Sequence, residues 1–282
     1  MNIVLAHGIL GFNKIGPVNY FNGVREHLQT KYNANVLVTD VSPTGSIEDR
    51  GKSLRKQILD FLANNANSQA QNPPQQTHII AHSMGGLDSR YILSPNNPDN
   101  IGEFITSLIT VGTPHRGSPI ADLLYPLVDG SSSSPCVAFG ELTFQKFLDF
   151  FGQSTEGLRD LTAAVLQDFN NVYQDNPDVH YFWTAGIGRE DRLFRTSIPF
   201  WAAYQYIHNT GKTETDRKND GVVPLSSAIY GEQIGREWLA DHADEVGHDL
   251  DNLPFGFPKS FPHLDKYDEI IDRILPLVKP ER

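Results

Sequence analysis

Ser83 lies in the run Thr77-His78-Ile79-Ile80-Ala81-His82-Ser83-Met84-Gly85-Gly86, with the small residues Ala81 and Gly85 two positions away on either side. Strand-forming residues lead into it and a helical pattern over 86–93 follows, which is the layout of a nucleophile elbow. At such a turn the serine backbone is strained and its Oγ stands clear of the sheet edge. Bulky side chains at 81 or 85 would clash there. The common motif has glycine at the first small position; this chain has Ala81, which is still small. Amides at the start of the helix lie where negative oxygen would develop during attack on a carbonyl.

A serine hydroxyl is a weak nucleophile at neutral pH. It needs an imidazole to take its proton, and the imidazole needs a carboxylate to fix its tautomer and stabilise its charged form. In chains with this turn, the acid and then the histidine follow the serine. Two acids qualify: Asp220 in Asn219-Asp220-Gly221, and Asp191 just beyond an expected strand. Asn and Gly favour a tight turn that aims the intervening carboxylate inward, which puts Asp220 first. His242, His248 and His263 all lie late enough to be the base.

These residues need a scaffold, and the chain alternates short apolar runs with helix-patterned segments. That alternation predicts a mostly parallel sheet covered on both faces. Strands are expected at 3–6, 35–39, 77–81, 104–111 and 179–185, and helices at 18–32, 46–64 and 264–278. Ser46 with Asp49 resembles a capping box ahead of the stripe Ile47, Leu54, Ile58, Phe61 and Leu62. The last helix presents Leu264, Tyr267, Ile270, Ile271, Ile274 and Leu275 on one face. Residues 66–76, with Pro73-Pro74, read as an exposed loop, and 186–219 as a mixed segment. Over 117–176 the alternation breaks around Asp129-Gly130 and serines 131–134. Apolar pieces at 120–128, 144–151 and 158–173 surround them, which suggests a helical cap or lid inserted in one domain spanning 1–282.

With 282 residues and 39% hydrophobic content, the chain can bury a large single core. Its net charge of −11 argues against nucleic acid as a partner and against strong attraction to anionic membranes. Cys136 is the single cysteine, so there is neither an intramolecular disulfide nor a cysteine-based metal cluster. The apolar run 3–6 has no basic lead and is far too short to span a bilayer. The expectation is a soluble protein without a transmembrane segment. No signal peptide is visible, so it is cytoplasmic, exported by a leaderless route, or shorn of its leader.

Several separated motifs together resemble the bacterial true lipases of the Proteus and Pseudomonas type, within the α/β-hydrolase superfamily. They are His7-Gly8-Ile9-Leu10-Gly11-Phe12, Ala81-His82-Ser83-Met84-Gly85, Asn219-Asp220-Gly221 and His242-Ala243-Asp244-Glu245-Val246. The 22-residue step from Asp220 to His242 is also that family's spacing. Gly112-Thr113-Pro114-His115-Arg116-Gly117-Ser118 and Asp168-Phe169-Asn170-Asn171-Val172-Tyr173 are similar to further segments of such lipases. The resemblance implies an α/β-hydrolase fold: a mostly parallel central sheet flanked by helices, with a helical cap. It moves His242 ahead of His248 and His263. It implies a carboxylic-ester hydrolase, and within that class a triacylglycerol lipase, working through a Ser83–Asp220–His242 acyl-enzyme mechanism. Backbone N–H groups of Ile9 and Met84 would form the oxyanion hole. The substrate would be an ester or lipid, met at a lipid–water interface. The alternatives are a polyester depolymerase of the polyhydroxyalkanoate type, a short-chain esterase, and a non-catalytic hydrolase-fold binding protein.

Lipases of this type hold a structural Ca²⁺ near the histidine, and Asp244 stands at a ligand position. Here His248 replaces the glutamine ligand, and no aspartate lies about twenty residues before Asp220, where a second carboxylate belongs. Asp244, Asp249 and Asp251 therefore read as a solvated acidic loop and no cofactor is expected to be required. Ca²⁺ near Asp244 is the alternative.

Overall fold

The aliphatic runs lie at the centre of the protein in a computed structural model that describes residues 1–9, 20–68, 76–131, 155–190, 194–250 and 261–277. Strands β1 (Asn2–Ala6), β2 (Asn35–Val38), β3 (Thr77–His82), β4 (Ser107–Val111), β5 (His180–Thr184) and β6 (Glu232–Gln233) form one six-stranded sheet. The order is β2-β1-β3-β4-β5-β6 and every pairing is parallel. The described helices are α1 (Val24–Tyr32), α2 (Ile47–Ser68), α3 (Gly85–Leu93), α4 (Pro119–Val128), α5 (Thr155–Asp160), α6 (Ala163–Val172), α7 (Ile198–Thr210), α8 (Glu214–Arg217), α9 (Leu225–Ala228) and α10 (His263–Ile274).

Parallel strands need crossovers, and these cover both faces with helices. The two-residue alternation of strand side chains then divides the core. Ile3, Leu5, Ile80 and Ile109 pack in one layer with Val24 and Leu28 of α1 and Tyr267, Ile270 and Ile271 of α10. Val4, Ala6, Ile79 and Ala81 pack in the other with Leu54 and Ile58 of α2 and Leu87 of α3. At roughly 1.5–3 kcal/mol for each large apolar side chain buried, these two layers hold the sheet that carries the site.

Local chemistry sets most boundaries where they were expected. The Ser46 hydroxyl accepts the Asp49 N–H (3.1 Å) and donates to Asp49 Oδ2 (2.9 Å), capping α2. That helix runs on to Ser68, so the following loop begins later than residue 66. β4 begins at Ser107 rather than 104, because Gly102–Phe104 closes a 3-10 turn whose Gly102 carbonyl accepts the Ile105 N–H. The segment 186–219, read as mixed, contains α7. Phe200, Ala203, Tyr204 and Ile207 form its buried stripe at helical spacing. In α10 the buried face is Tyr267, Ile270, Ile271 and Ile274, whereas Leu275 is 41% exposed. The chain tightens there into a 3-10 turn, Leu275–Leu277, which rotates Leu275 off the helical stripe.

Of the segment 117–176, expected to form a cap, α4, α5 and α6 are described. Residues 132–154, with Cys136, Phe144, Phe147, Phe150 and Phe151, lie outside the described residues, as do Leu10, Gly11, Phe12, Pro73, Pro74, Asp191 and Asp251. Among the described residues, no helix is long and apolar enough to cross a membrane.

Candidate active site

β3 stops at His82 and α3 starts at Gly85, so Ser83 sits in the turn between them, with φ of 56°. That left-handed conformation costs an ordinary residue about 1–2 kcal/mol and must be held by its surroundings. Ser83 N–H donates to the Val111 carbonyl (2.9 Å), and the Ser83 carbonyl accepts from Thr113 Oγ1 (2.8 Å) and Gly86 N–H (3.1 Å). The turn also packs on the chain end of β1. A Cβ at Gly85 would lie 2.4 Å from the Ala6 carbonyl oxygen, and one at Gly8 2.4 Å from Ser83 Cβ. Glycine at both places lets the 7–9 loop lie against the serine.

One cation fastens that loop. Arg50 of α2, fully buried, donates through Nη2 to the His7 carbonyl (2.7 Å) and to Asp88 Oδ2 on α3 (2.7 Å). Burial pushes the Asp88 carboxyl up to about 6, although Arg50 pulls it the other way. Burial, assisted by the Arg50 charge, holds His7 down at about 4. His7 is therefore neutral, and its Nε2 accepts the Val41 N–H (3.2 Å).

The other half of the site is built from loops. Asp220 Oδ1 accepts N–H groups from Val222 (2.8 Å) and Val223 (2.7 Å), while Oδ2 lies 2.7 Å from His242 Nδ1. His242 Nε2 lies 3.0 Å from Ser83 Oγ, and its backbone N–H donates to the Asp220 carbonyl (2.9 Å). Ser83, Asp220 and His242 are all buried. His248 and His263 go elsewhere: their Nε2 atoms lie 3.0 Å from the Tyr20 carbonyl and 2.7 Å from the Asn22 carbonyl. Ile9 and Met84, the expected oxyanion donors, are both buried: Ile9 lines the same cleft as Ser83, and Met84 follows Ser83 in the chain at the amino end of α3. The serine faces a cleft lined by Ile9, Pro114, Ile120, Leu158, Leu161 and Val222, an apolar setting to which α4 and α5 contribute Ile120 and Leu158.

Three residues with no role in the sequence reading stand behind the imidazole. Tyr20 Oη accepts the Gly8 N–H (3.1 Å) and lies 2.7 Å from His82 Nδ1. His82 Nε2 lies 2.9 Å from Glu245 Oε2, and Glu245 Oε1 accepts the Gly186 N–H (2.5 Å). Burial lowers His82 well below an ordinary imidazole and, with help from the Asp220 charge, raises Glu245 well above an ordinary carboxyl. Glu245 Oε2 is also 3.6 Å from His242 Nδ1. The polar atoms of His82, His242 and Glu245 converge within 4.8 Å. Both ring nitrogens of His242 already face Asp220 and Ser83, so the cluster is a hydrogen-bond network rather than a metal cage. The signal in the sequence was the three-residue step from His242 to Glu245, which a 3-10 turn (Asp244–Val246) folds back onto the ring.

Comparison with known proteins places this geometry. A family model described as a PGAP1-like alpha/beta domain matches residues 21–127. A triacylglycerol lipase of Pseudomonas fragi is 30% identical over 272 residues, spanning 87% of this chain and 87% of that protein. A triacylglycerol lipase of Vibrio cholerae is 36% identical over 271 residues, spanning 86% of this chain and 78% of its relative. The chain belongs to the bacterial triacylglycerol lipase family. In fold it is an α/β-hydrolase, similar to the crystal structure of a Bacillus licheniformis lipase in its mature form. That likeness has a TM-score of 0.66 at 20% identity and covers 97% of this chain and 91% of the other.

For a chain of this lipase family, the surroundings of Asp244 depart from the implied Ca²⁺ site. Asp249 is exposed, as a solvated loop requires, but Asp244 is only 1% exposed. Its Oδ2 accepts the Asp241 N–H (3.1 Å), and its Oδ1 lies 3.9 Å from Nη1 of the buried Arg189. A buried guanidinium there offsets the charge of the buried carboxylate. Asp241 is occupied too, accepting N–H groups from Ser197 (2.7 Å), Ala243 (3.0 Å) and Asp244 (2.9 Å) and the Ser197 hydroxyl (2.5 Å). Ca²⁺ takes six to eight oxygens at about 2.3–2.6 Å. Asp241, with both oxygens occupied by donors, and Asp244, with a buried guanidinium 3.9 Å from Oδ1, do not fit that requirement.

Proposed function

We propose that this chain hydrolyses triacylglycerols and related lipid esters through a Ser83–His242–Asp220 acyl-enzyme mechanism. The observation that carries the reading is a buried imidazole 3.0 Å from Ser83 Oγ on one side and 2.7 Å from Asp220 Oδ2 on the other. Ser83 Oγ attacks the ester carbonyl carbon as His242 Nε2 removes its proton. Asp220 stabilises the resulting imidazolium, and the two amides it accepts keep its own position. The tetrahedral oxyanion meets the N–H groups of Ile9 and Met84, each worth about 3–4 kcal/mol in such sites. Collapse breaks the carbon–oxygen bond while Nε2–H protonates the leaving alcohol. Water then repeats the sequence on the acyl-enzyme and releases the acid.

No cofactor enters these steps. The same reading takes 1–282 as one domain, with 117–176 as a cap over Ser83. The apolar lining from Ile120, Leu158 and Leu161 suits an acyl chain. A fluorophosphonate probe together with p-nitrophenyl esters of graded chain length tests the reading. Labelling of Ser83 and hydrolysis rising toward long chains and emulsified triacylglycerol are expected. Ser83 left unlabelled in folded protein would make the chain a binding protein. Labelling with activity confined to short soluble esters would make it an esterase, and activity confined to polyester films a depolymerase.

A further inference from the structure

We propose that Arg189 acts as a built-in cation that fastens the His242 loop, doing within the chain what Ca²⁺ would do from outside it. Beyond β5 the chain continues alongside residues 238–240: Ile187 N–H donates to the Trp238 carbonyl and Gly188 N–H to the Ala240 carbonyl, both at 2.9 Å. The next residue, Arg189, is thereby delivered to the turn at 241–244. Its side chain is 5% exposed, and Nη1 stands 3.9 Å from Asp244 Oδ1. The other Asp244 oxygen accepts the N–H of Asp241, and Asp241 in turn caps the amides of Ala243 and Asp244. His242 lies between the two aspartates, so whatever neutralises them sets where its ring points.

Charge matching favours the arginine. Asp220, Glu245, Asp241 and Asp244 crowd one buried region, and buried carboxylates persist only when paired or amply hydrogen-bonded. Guanidinium stays protonated at any working pH and is more weakly hydrated than an ammonium, which suits a dry site. In the stretch before Asp220 where a second ligand carboxylate was expected, Ser197 instead donates to Asp241. One fewer carboxylate with one monovalent cation keeps the balance that two carboxylates and a divalent ion would give. A guanidinium nitrogen 3.9 Å from Asp244 Oδ1 also repels a divalent ion from the same oxygen.

The role assigned to His242 rests on the proposed function, whereas the fastening is read from folding and stands apart from it. The decisive measurement is the melting temperature of the full chain in EGTA and in millimolar CaCl₂, with hydrolysis of a soluble ester followed in parallel. Both are expected to be the same in the two buffers. Arg189→Gln should lower Tm and, by misplacing the His242 ring, reduce kcat by up to about 100-fold with KM unchanged. Arg189→Lys should recover part of both. In an Asp244→Asn background the Arg189→Gln loss in Tm should shrink, because the pair is already broken. A native Tm that drops in EGTA and returns with CaCl₂ overturns the proposal, as does Arg189→Gln with native Tm and kcat. Should Arg189→Gln fail to fold, the chelation result and Arg189→Lys decide. Inactivity with the expected Tm pattern would count against the lipase reading alone.

Discussion

Around Ser83 the chain is held by backbone packed too closely for side chains, whereas around His242 it is held by carboxylates that collect N–H groups. The first half borrows its rigidity from the sheet. Ser83 follows a central strand directly, its amide continues the ladder to Val111, and Gly8 and Gly85 admit main chain at contact distance. The second half has only loops, and Asp220, Asp241 and Asp244 replace the missing ladder with side-chain acceptors. The first design should therefore fail by steric crowding, and the second by loss of charge.

Removing charge from the loop half tests this most severely. Asp220→Asn keeps the shape but cannot hold the Nδ1–H tautomer or stabilise the imidazolium, so kcat should fall by about 10⁴-fold with KM little changed. Steady-state kinetics on a soluble ester check it, and a loss below tenfold would mean that the Asp220–His242 contact is incidental. On the serine half, adding a methyl should suffice. In Gly8→Ala the new Cβ would fall 2.4 Å from Ser83 Cβ and 2.9 Å from its Oγ. On the proposed mechanism, displacing Ser83 and the 7–9 loop together should reduce kcat by about 10²–10³-fold, the scale of one lost oxyanion donor or a 1 Å misplacement. Native kcat in that variant would show the serine half to be looser than its packing indicates.

The same contrast explains what could be read in the sequence. Ser83 was legible because strand, turn and helix are local, and small residues at 81 and 85 mark the close approach. The sheet was legible because its strands are continuous apolar runs. Asp220 stood out through its turn residues, but choosing His242 over His248 and His263 needed the family pattern. Nothing local announces that His242 alone reaches the serine. Arg50–Asp88, Tyr20–His82–Glu245 and Arg189–Asp244 were not legible as pairs, since each joins residues at least 38 positions apart and owes its meaning to burial; the short step from His242 to Glu245 was the one local signal among them. An acidic loop looks the same in sequence whether its charges meet water or a buried guanidinium. That is why Asp244 was misread as solvated.

Acid should act with opposite sign on the buried histidines and on the buried carboxyls of these two regions. Burial puts His7 and His78 at about 4, so between about pH 4 and 6.5 the unfolded chain binds protons that the native state refuses. Their contribution is present above that window and lost as pH falls through it, roughly 3 kcal/mol for each histidine at full extent. Asp88, raised to about 6, and Glu245, raised well above an ordinary carboxyl by burial, work oppositely: the native state holds protons that the unfolded chain releases, so their contribution is lost as pH rises. His82 and His115 are also lowered well below 6.5, which leaves the histidines in the majority. Urea unfolding should therefore show net stability falling from pH 6.5 toward 4. In Glu245→Gln the fall should be steeper, because one opposing contribution is gone. A flatter profile in that variant would place Glu245 among ordinary ionised carboxylates.

The smallest effect asks whether a polar contact contributes measurably where packing dominates. Thr113→Val keeps the bulk against Gly86 but deletes the hydroxyl that donates to the Ser83 carbonyl. That oxygen still accepts Gly86 N–H, and Ser83 N–H still reaches Val111, so only one of its two acceptor sites is emptied. A loss of about 1 kcal/mol follows for one neutral hydrogen bond, seen as a Tm lowered by about 2–4 °C in a chain of this size. Because φ at Ser83 is imposed by the strand before it and the helix after it, kcat should stay within about threefold of native. A tenfold loss of kcat with that modest change in Tm would reverse the comparison. It would mean that the elbow, like the His242 loop, is aimed by a side-chain hydrogen bond rather than by its backbone.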